Sequence, residues 1–141
     1  MMDKGPERRS WNMSRIRSTD TGPEMTVRRL VHAMGYRYRL HRKDLPGKPD
    51  ITFGPRRKII EVRGCYWHAH LRYDRTCWEA RSEAKSNQTY WGPKMDRNVE
   101  RDKRNLALLQ TAGWQVLVIW ECQLRDMEAV RSRIGDFLGE K

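Results

Sequence analysis

Two short β-rich runs, "PDITF" (49–53) and "KIIEV" (58–62), are separated only by "GPRR", and that spacing constrains this chain more than any other feature. A connection of four residues joins adjacent antiparallel strands, so the runs form a hairpin. If Phe53 pairs with Lys58 across the turn, Asp50 faces Glu61 on one side of the sheet, with Cβ atoms roughly 4.5–5.5 Å apart. Two carboxylates at that separation repel each other unless positive charge lies between them. A hard divalent cation such as Mg²⁺ accepts carboxylate oxygens in this arrangement. Arg63 projects to the same face and adds positive charge beside the ion. Two readings follow from the spacing: a metal-binding face for phosphodiester chemistry, or an exposed hairpin in which Glu61 pairs with Arg63 or Lys48.

The rest of the chain supplies elements to pack around the hairpin. A helix is predicted from Pro23, capped by Thr21 or Gly22, with Glu24 beside the positive end of its dipole and Gly35 as its stop. Val27, Leu30, Val31 and Met34 share one of its faces. "YRYRL" (36–40) alternates as a strand does. A second helix is expected from about Pro93 to Gly113, with Met95, Val99, Leu106 and Leu109 aligned. "WQVLVIW" (114–120) is a nearly continuous apolar run, as expected of a strand buried on both faces. A last amphipathic helix carries Met127, Val130, Ile134 and Phe137. The order α, β, β, β, α, β, α predicts a mixed sheet flanked by helices, in an α/β or α+β architecture.

With 141 residues, the chain suits one domain, here 21–141, preceded by an arm over 1–20 that lacks apolar periodicity. The arm carries Lys4, Arg8, Arg9, Arg15 and Arg17, and either wraps DNA or is a plain disordered terminus. The 29 Lys and Arg against 18 Asp and Glu give a net charge of +11, which points to a polyanion, most commonly nucleic acid. No apolar run is long enough for a bilayer span and no signal-peptide pattern opens the chain, so a soluble intracellular protein with no membrane partner is expected.

The three cysteines, Cys65, Cys77 and Cys122, are an odd number and argue against a complete disulfide framework. Cys65 and His70 have chelate spacing in "GCYWHAH" (64–70). If strand 114–120 lies beside the hairpin strand that ends at Val62, Cys122 and Cys65 emerge at the same sheet edge. Cys65, His70, Cys77 and Cys122 would then complete a tetrahedral zinc site; three buried thiols are the competing reading. His68 is left over close to the carboxylate strand, where a neutral imidazole can take a proton from the attacking water or give one to the leaving oxygen; a solvent-exposed histidine is the competing reading. His32 and His41 read as structural or as phosphate contacts.

Taken together, "LPGKPDITF", "GCYWHAH", "YW" at 90–91, "NVERD" at 98–102, "GWQVLVIWEC" at 113–122 and the arm's "NMSRIRSTDTGPE" resemble the very short patch repair (Vsr) endonucleases. The matches run in order from about residue 10 to 125. The resemblance implies a restriction-endonuclease-like fold of the PD-(D/E)xK type with a structural zinc. It implies a bacterial, cytoplasmic, nucleoid-associated monomer that nicks one strand of double-stranded DNA beside a T:G mismatch, using Mg²⁺. Other mismatch-repair proteins are its implied partners. Carried over by position, it implies Asp50 as the principal Mg²⁺ carboxylate, the main-chain carbonyl of Val62 as a second ligand, His68 as general acid/base and Glu24 as a supporting catalytic residue. Cys65, His70, Cys77 and Cys122 become the zinc ligands, and Tyr66, Trp67 and Trp91 aromatic wedges between base pairs.

Glu61 and Arg63 depart from the family pattern, where an apolar residue and a histidine or acidic residue are usual. They bring the Asp50/Glu61 pair closer to a general restriction-nuclease metal site, with Arg63 available to a phosphate or to transition-state charge. The stretch between His70 and Cys77 is also longer than the family's. Two alternatives to mismatch nicking follow: a restriction-like nuclease acting on intact or modified duplex, and a zinc-stabilised DNA-binding module without activity.

Overall fold

The computed structural model describes residues 21–65, 68–74, 77 and 88–140, and the backbone alone of residues 71 and 88–91. Arg15 and Arg17 of the basic arm, Tyr66, Trp67 and the indole of Trp91 lie outside these described parts.

Helix α1 spans Gly22–Ala33; Thr21 caps it, its hydroxyl accepting from the Glu24 N–H at 3.3 Å. Strands β1 (Arg39–Leu40), β2 (Ile51–Phe53) and β3 (Lys58–Arg63) follow, then helix α2 (Gln88–Thr111), strand β4 (Gln115–Trp120) and helix α3 (Met127–Leu138). The hairpin register is the one its four-residue connection predicts: Phe53 pairs with Lys58, Thr52 with Ile59 and Ile51 with Ile60. β1 joins β2 antiparallel, β4 joins β3 in parallel, and the sheet order is β1-β2-β3-β4. The parallel pair requires a crossover, and α2 lies on it.

Strand alternation divides the core into two layers. Ile51, Phe53, Ile60, Val62 and Ile119 face α1 and α3, meeting Val27, Val31, Val130, Ile134 and Leu138. On the other face Ile59 meets Leu109 of α2 and Trp114. Each fully buried aliphatic side chain contributes about 1.5–3 kcal/mol. The result is a mixed α/β sandwich of a four-stranded sheet and three helices. Among the described residues no helix is long and apolar enough to cross a membrane.

Three expectations are revised. The strand expected over 36–40 pairs only at Arg39–Leu40, because Tyr36 and Tyr38 turn their rings onto Phe53, with centroids 6.5 and 6.2 Å away. Helix α2 starts at Gln88 rather than at Pro93. Pro93 therefore lies inside the helix, where its missing N–H removes one bond to the preceding turn. β4 is buried only at Ile119 and Trp120, whereas Val116, Leu117 and Val118 are half-buried, because β4 is the outermost strand.

Candidate active site and metal centre

Both clusters of functional side chains form where β3 ends. The loop "LPGKP" delivers Asp50 to β2 through two left-handed residues, Gly47 (φ 76°) and Lys48 (φ 48°). A Cβ on Gly47 would stand 2.8 Å from the Asn105 side chain of α2, so this loop needs glycine there. The Asp50 carboxylate accepts from the Val62 N–H at 2.9 Å, which ties it to the head of β3. Glu24 reaches the same place from the first turn of α1, and His41 from the residue after β1. One ligand atom each from Glu24, His41 and Asp50 lies within 4.8 Å of the others.

Desolvation dominates the electrostatics there. Burial pushes the Asp50 carboxyl up to about 7; the Val62 N–H pulls it down, Glu24 and Glu61 push it up, and His41 pulls it down. Glu24 is almost fully buried, with His41 Nε2 at 2.6 Å and Arg28 at 3.5 Å from its Oε2.

Glu61 lies close enough to raise Asp50, yet it is not one of the three donors that converge. Its carboxylate pairs with Arg63 at 2.9 Å, the pairing that the alternative reading of the hairpin anticipates. Arg63 is buried and also lies over the Trp120 ring, 5.5 Å from its centroid.

The second cluster fills the edge where β3 and β4 end together. Because Arg63 pairs with Trp120 in the parallel ladder, Cys65 and Cys122 leave the sheet side by side, as the sequence anticipates. Cys65, His70, Cys77 and Cys122 each offer a ligand atom within 4.8 Å of the rest. Cys77, separated by the longer stretch, belongs to the group, and all three cysteines are free thiols. The Cys122 N–H approaches Cys65 Sγ at 3.3 Å and Cys122 Sγ lies 3.6 Å from His70 Nδ1. Burial raises the Cys65 thiol far above its ordinary value. One nitrogen and three sulfurs around one point are the donor set of a tetrahedral zinc site, and a bound dication would make thiolates of these thiols.

Trp120 packs within the Cys/His cluster. His70 stacks on it at 3.9 Å and 7°, and Arg63 covers it as well. The loop after Cys65 is clamped to α2 by Arg72 on Asp96 and by His68 Nδ1 on Asp102 Oδ2 at 2.7 Å. Sequence reasoning singles out His68 and misses Asp102, although it lies within the quoted "NVERD". The available signal is an acidic residue four positions after Asn98 on one helix face, and both are buried. His41 is also missed as a member of the Asp50 cluster. The β1–β2 register continues to it: Leu40 pairs with Ile51, and the His41 N–H donates to the Asp50 carbonyl at 3.1 Å.

Comparison with known proteins gives this geometry its context. Residues 2–74 match the family model described as DNA mismatch endonuclease Vsr. A type II nicking enzyme of Xanthomonas oryzae pv. oryzae, V.XorIIP, is 47% identical over 134 residues, covering 94% of this chain and 93% of the relative. The DNA mismatch endonuclease Vsr of Escherichia coli is 38% identical over 120 residues, covering 85% and 73%. V.NmeAIP, a type II nicking enzyme of Neisseria meningitidis, is 35% identical over 133 residues, covering 94% and 91%. The chain belongs to the Vsr family of DNA mismatch endonucleases.

Proposed function

We propose that this protein is a Mg²⁺-dependent DNA endonuclease that nicks one strand beside a T:G mismatch. The convergence of Glu24, His41 and Asp50 at the head of β3 carries the reading. A buried and a half-buried carboxylate beside the main chain of β3 are a donor set that suits a hard dication. Asp50 and the Val62 carbonyl would hold the ion, with Glu24 supporting them. When bound, the cation supplies Lewis acidity and orients water at the phosphodiester.

The chain's own groups do the rest. His68 moves the proton through Nε2, because its Nδ1 is engaged by Asp102, which sets the tautomer and the ring plane. Glu61 and Arg63 neutralise each other, so we assign Glu61 to the field around Asp50 rather than to direct ligation, and Arg63 to positioning against Trp120. Cys65, His70, Cys77 and Cys122 would hold a structural zinc that shapes the loop carrying His68. Tyr66, Trp67 and Trp91 are proposed to wedge into the base stack, where a mismatched step lowers the unstacking cost of a few kcal/mol. Arg15 and Arg17 are proposed to contact phosphates, and the net charge of +11 supports a polyanionic substrate.

A second reading is nicking of duplex without a mismatch. It draws on the Glu61/Arg63 departure and on the Xanthomonas relative, named a type II nicking enzyme. End-labelled duplexes with and without one T:G pair, incubated with Mg²⁺, separate the two. Nicking confined to the mismatched duplex is expected. Equal cutting of both would replace the first reading with the second.

A further inference from the structure

We propose that His41 is a ligand to the catalytic cation through Nε2, making this a mixed nitrogen and oxygen site that works with Mg²⁺ and holds first-row transition ions such as Mn²⁺ more tightly. The inference rests on the cation reading of Asp50 above and adds a donor that the sequence analysis assigned to structure or phosphate contact.

Register places His41 where a ligand is needed. Residue numbers of opposed partners on β1 and β2 sum to a constant, since Arg39 pairs with Thr52 and Leu40 with Ile51, and the next step opposes His41 to Asp50. The His41 N–H to Asp50 carbonyl bond at 3.1 Å extends the ladder by that step. His41 then leaves the strand in the left-handed region at φ 48°, a conformation uncommon outside glycine and asparagine. Its ring ends with Nε2 2.6 Å from Glu24 Oε2, and all three donors lie within 4.8 Å of one another.

Donors this close can enter one coordination shell after small side-chain shifts. An octahedral centre with bonds of about 2.0–2.1 Å holds adjacent donors about 2.9 Å apart and opposite donors about 4.2 Å apart. The charged groups facing His41 are Glu24 and Asp50, and Arg28 pairs with Glu24 from the adjacent turn of α1 at 3.5 Å. Ligation requires the tautomer with its proton on Nδ1, which leaves the Nε2 lone pair for the cation and breaks the hydrogen bond to Glu24. An imidazole beside carboxylates is a donor that Mg²⁺ uses poorly, because Mg²⁺ prefers oxygen ligands, and that transition ions accept.

The test is electron spin-echo spectroscopy of Mn²⁺ bound to the zinc-loaded protein, since Mn²⁺ competes weakly for thiolates. The wild type should show nitrogen modulation from a bound imidazole, and isotopic labelling of histidine nitrogen should change it. His41→Asn keeps the left-handed backbone and should abolish the modulation. It should weaken Mn²⁺ binding about tenfold while changing Mg²⁺ binding less than about twofold. Asp50→Ala should remove the bound Mn²⁺ signal. Asp50-dependent binding without nitrogen modulation, or modulation that survives in His41→Asn, would overturn the role of His41 and leave the Asp50 reading standing. Mn²⁺ binding indifferent to Asp50 would overturn both.

Discussion

His68 and Asp102 show how one contact assigns work to two residues. A carboxylate on Nδ1 orients the ring and fixes which nitrogen faces the substrate, so in the proposed reaction Asp102 would act through His68 and not on the phosphodiester. Asp102→Asn should lower kcat by about tenfold to a hundredfold with KM nearly unchanged, and Asp102→Glu should restore part of the loss. Unchanged kcat and KM in Asp102→Asn would remove the pair from the reaction. Asp50 makes a different demand. Burial raises its carboxyl to about 7, so in the cation-free protein the folded chain holds a proton that the unfolded chain has already lost. The stability this contributes is fully present below the unfolded value of about 3.9 and is lost as pH climbs through about 7. The gain in Tm from Asp50→Asn, measured in chelator, should therefore grow between about pH 4 and pH 7 and then level off. A gain that does not change with pH would contradict the raised carboxyl.

At the scale of elements, the loop "LPGKP" matters most, because it turns a hairpin residue into a site residue. Gly47→Ala forces a side chain into φ 76° and against Asn105, so a loss of about 1–2 kcal/mol and roughly 2–8 °C in Tm is expected in thermal unfolding. An unchanged Tm would show that the loop relaxes freely. Hairpin register and the convergence of Cys65 with Cys122 were legible in the chain, since both follow from strand periodicity and connection length. The membership of His41 was not, because β1 is a two-residue strand whose pairing no local pattern reveals. Opposition across the hairpin likewise put Asp50 near Glu61 and left two partners open for Glu61, a cation or a basic side chain; Arg63, two residues on, captures its carboxylate. Asp102 stayed hidden for a similar reason: its partner is 34 residues away, across a crossover.

Across the whole molecule, the sheet carries two candidate metal centres near the end of β3. The Cys/His cluster closes a region with little apolar core of its own, built from Cys65, Cys77 and Trp120 with Val118 and Cys122 packed against them. Zinc bound there would be coupled to folding. Stripping the metal with a strong chelator should lower Tm by at least about 5 °C and release close to one equivalent of zinc. Purified protein without zinc, or a Tm indifferent to its removal, would refute a structural metal. The two centres also differ in what they control: loss of the first should stop chemistry, and loss of the second should loosen the loop that carries His68.

The central claim is that a cation held by Asp50 hydrolyses one DNA strand. The direct test is to compare wild type and Asp50→Ala on a T:G duplex in Mg²⁺, measuring strand-resolved nicking and binding in the same samples. In Asp50→Ala nicking should be abolished while affinity for the duplex stays within a few-fold of wild type. Nicking retained by Asp50→Ala would contradict that claim.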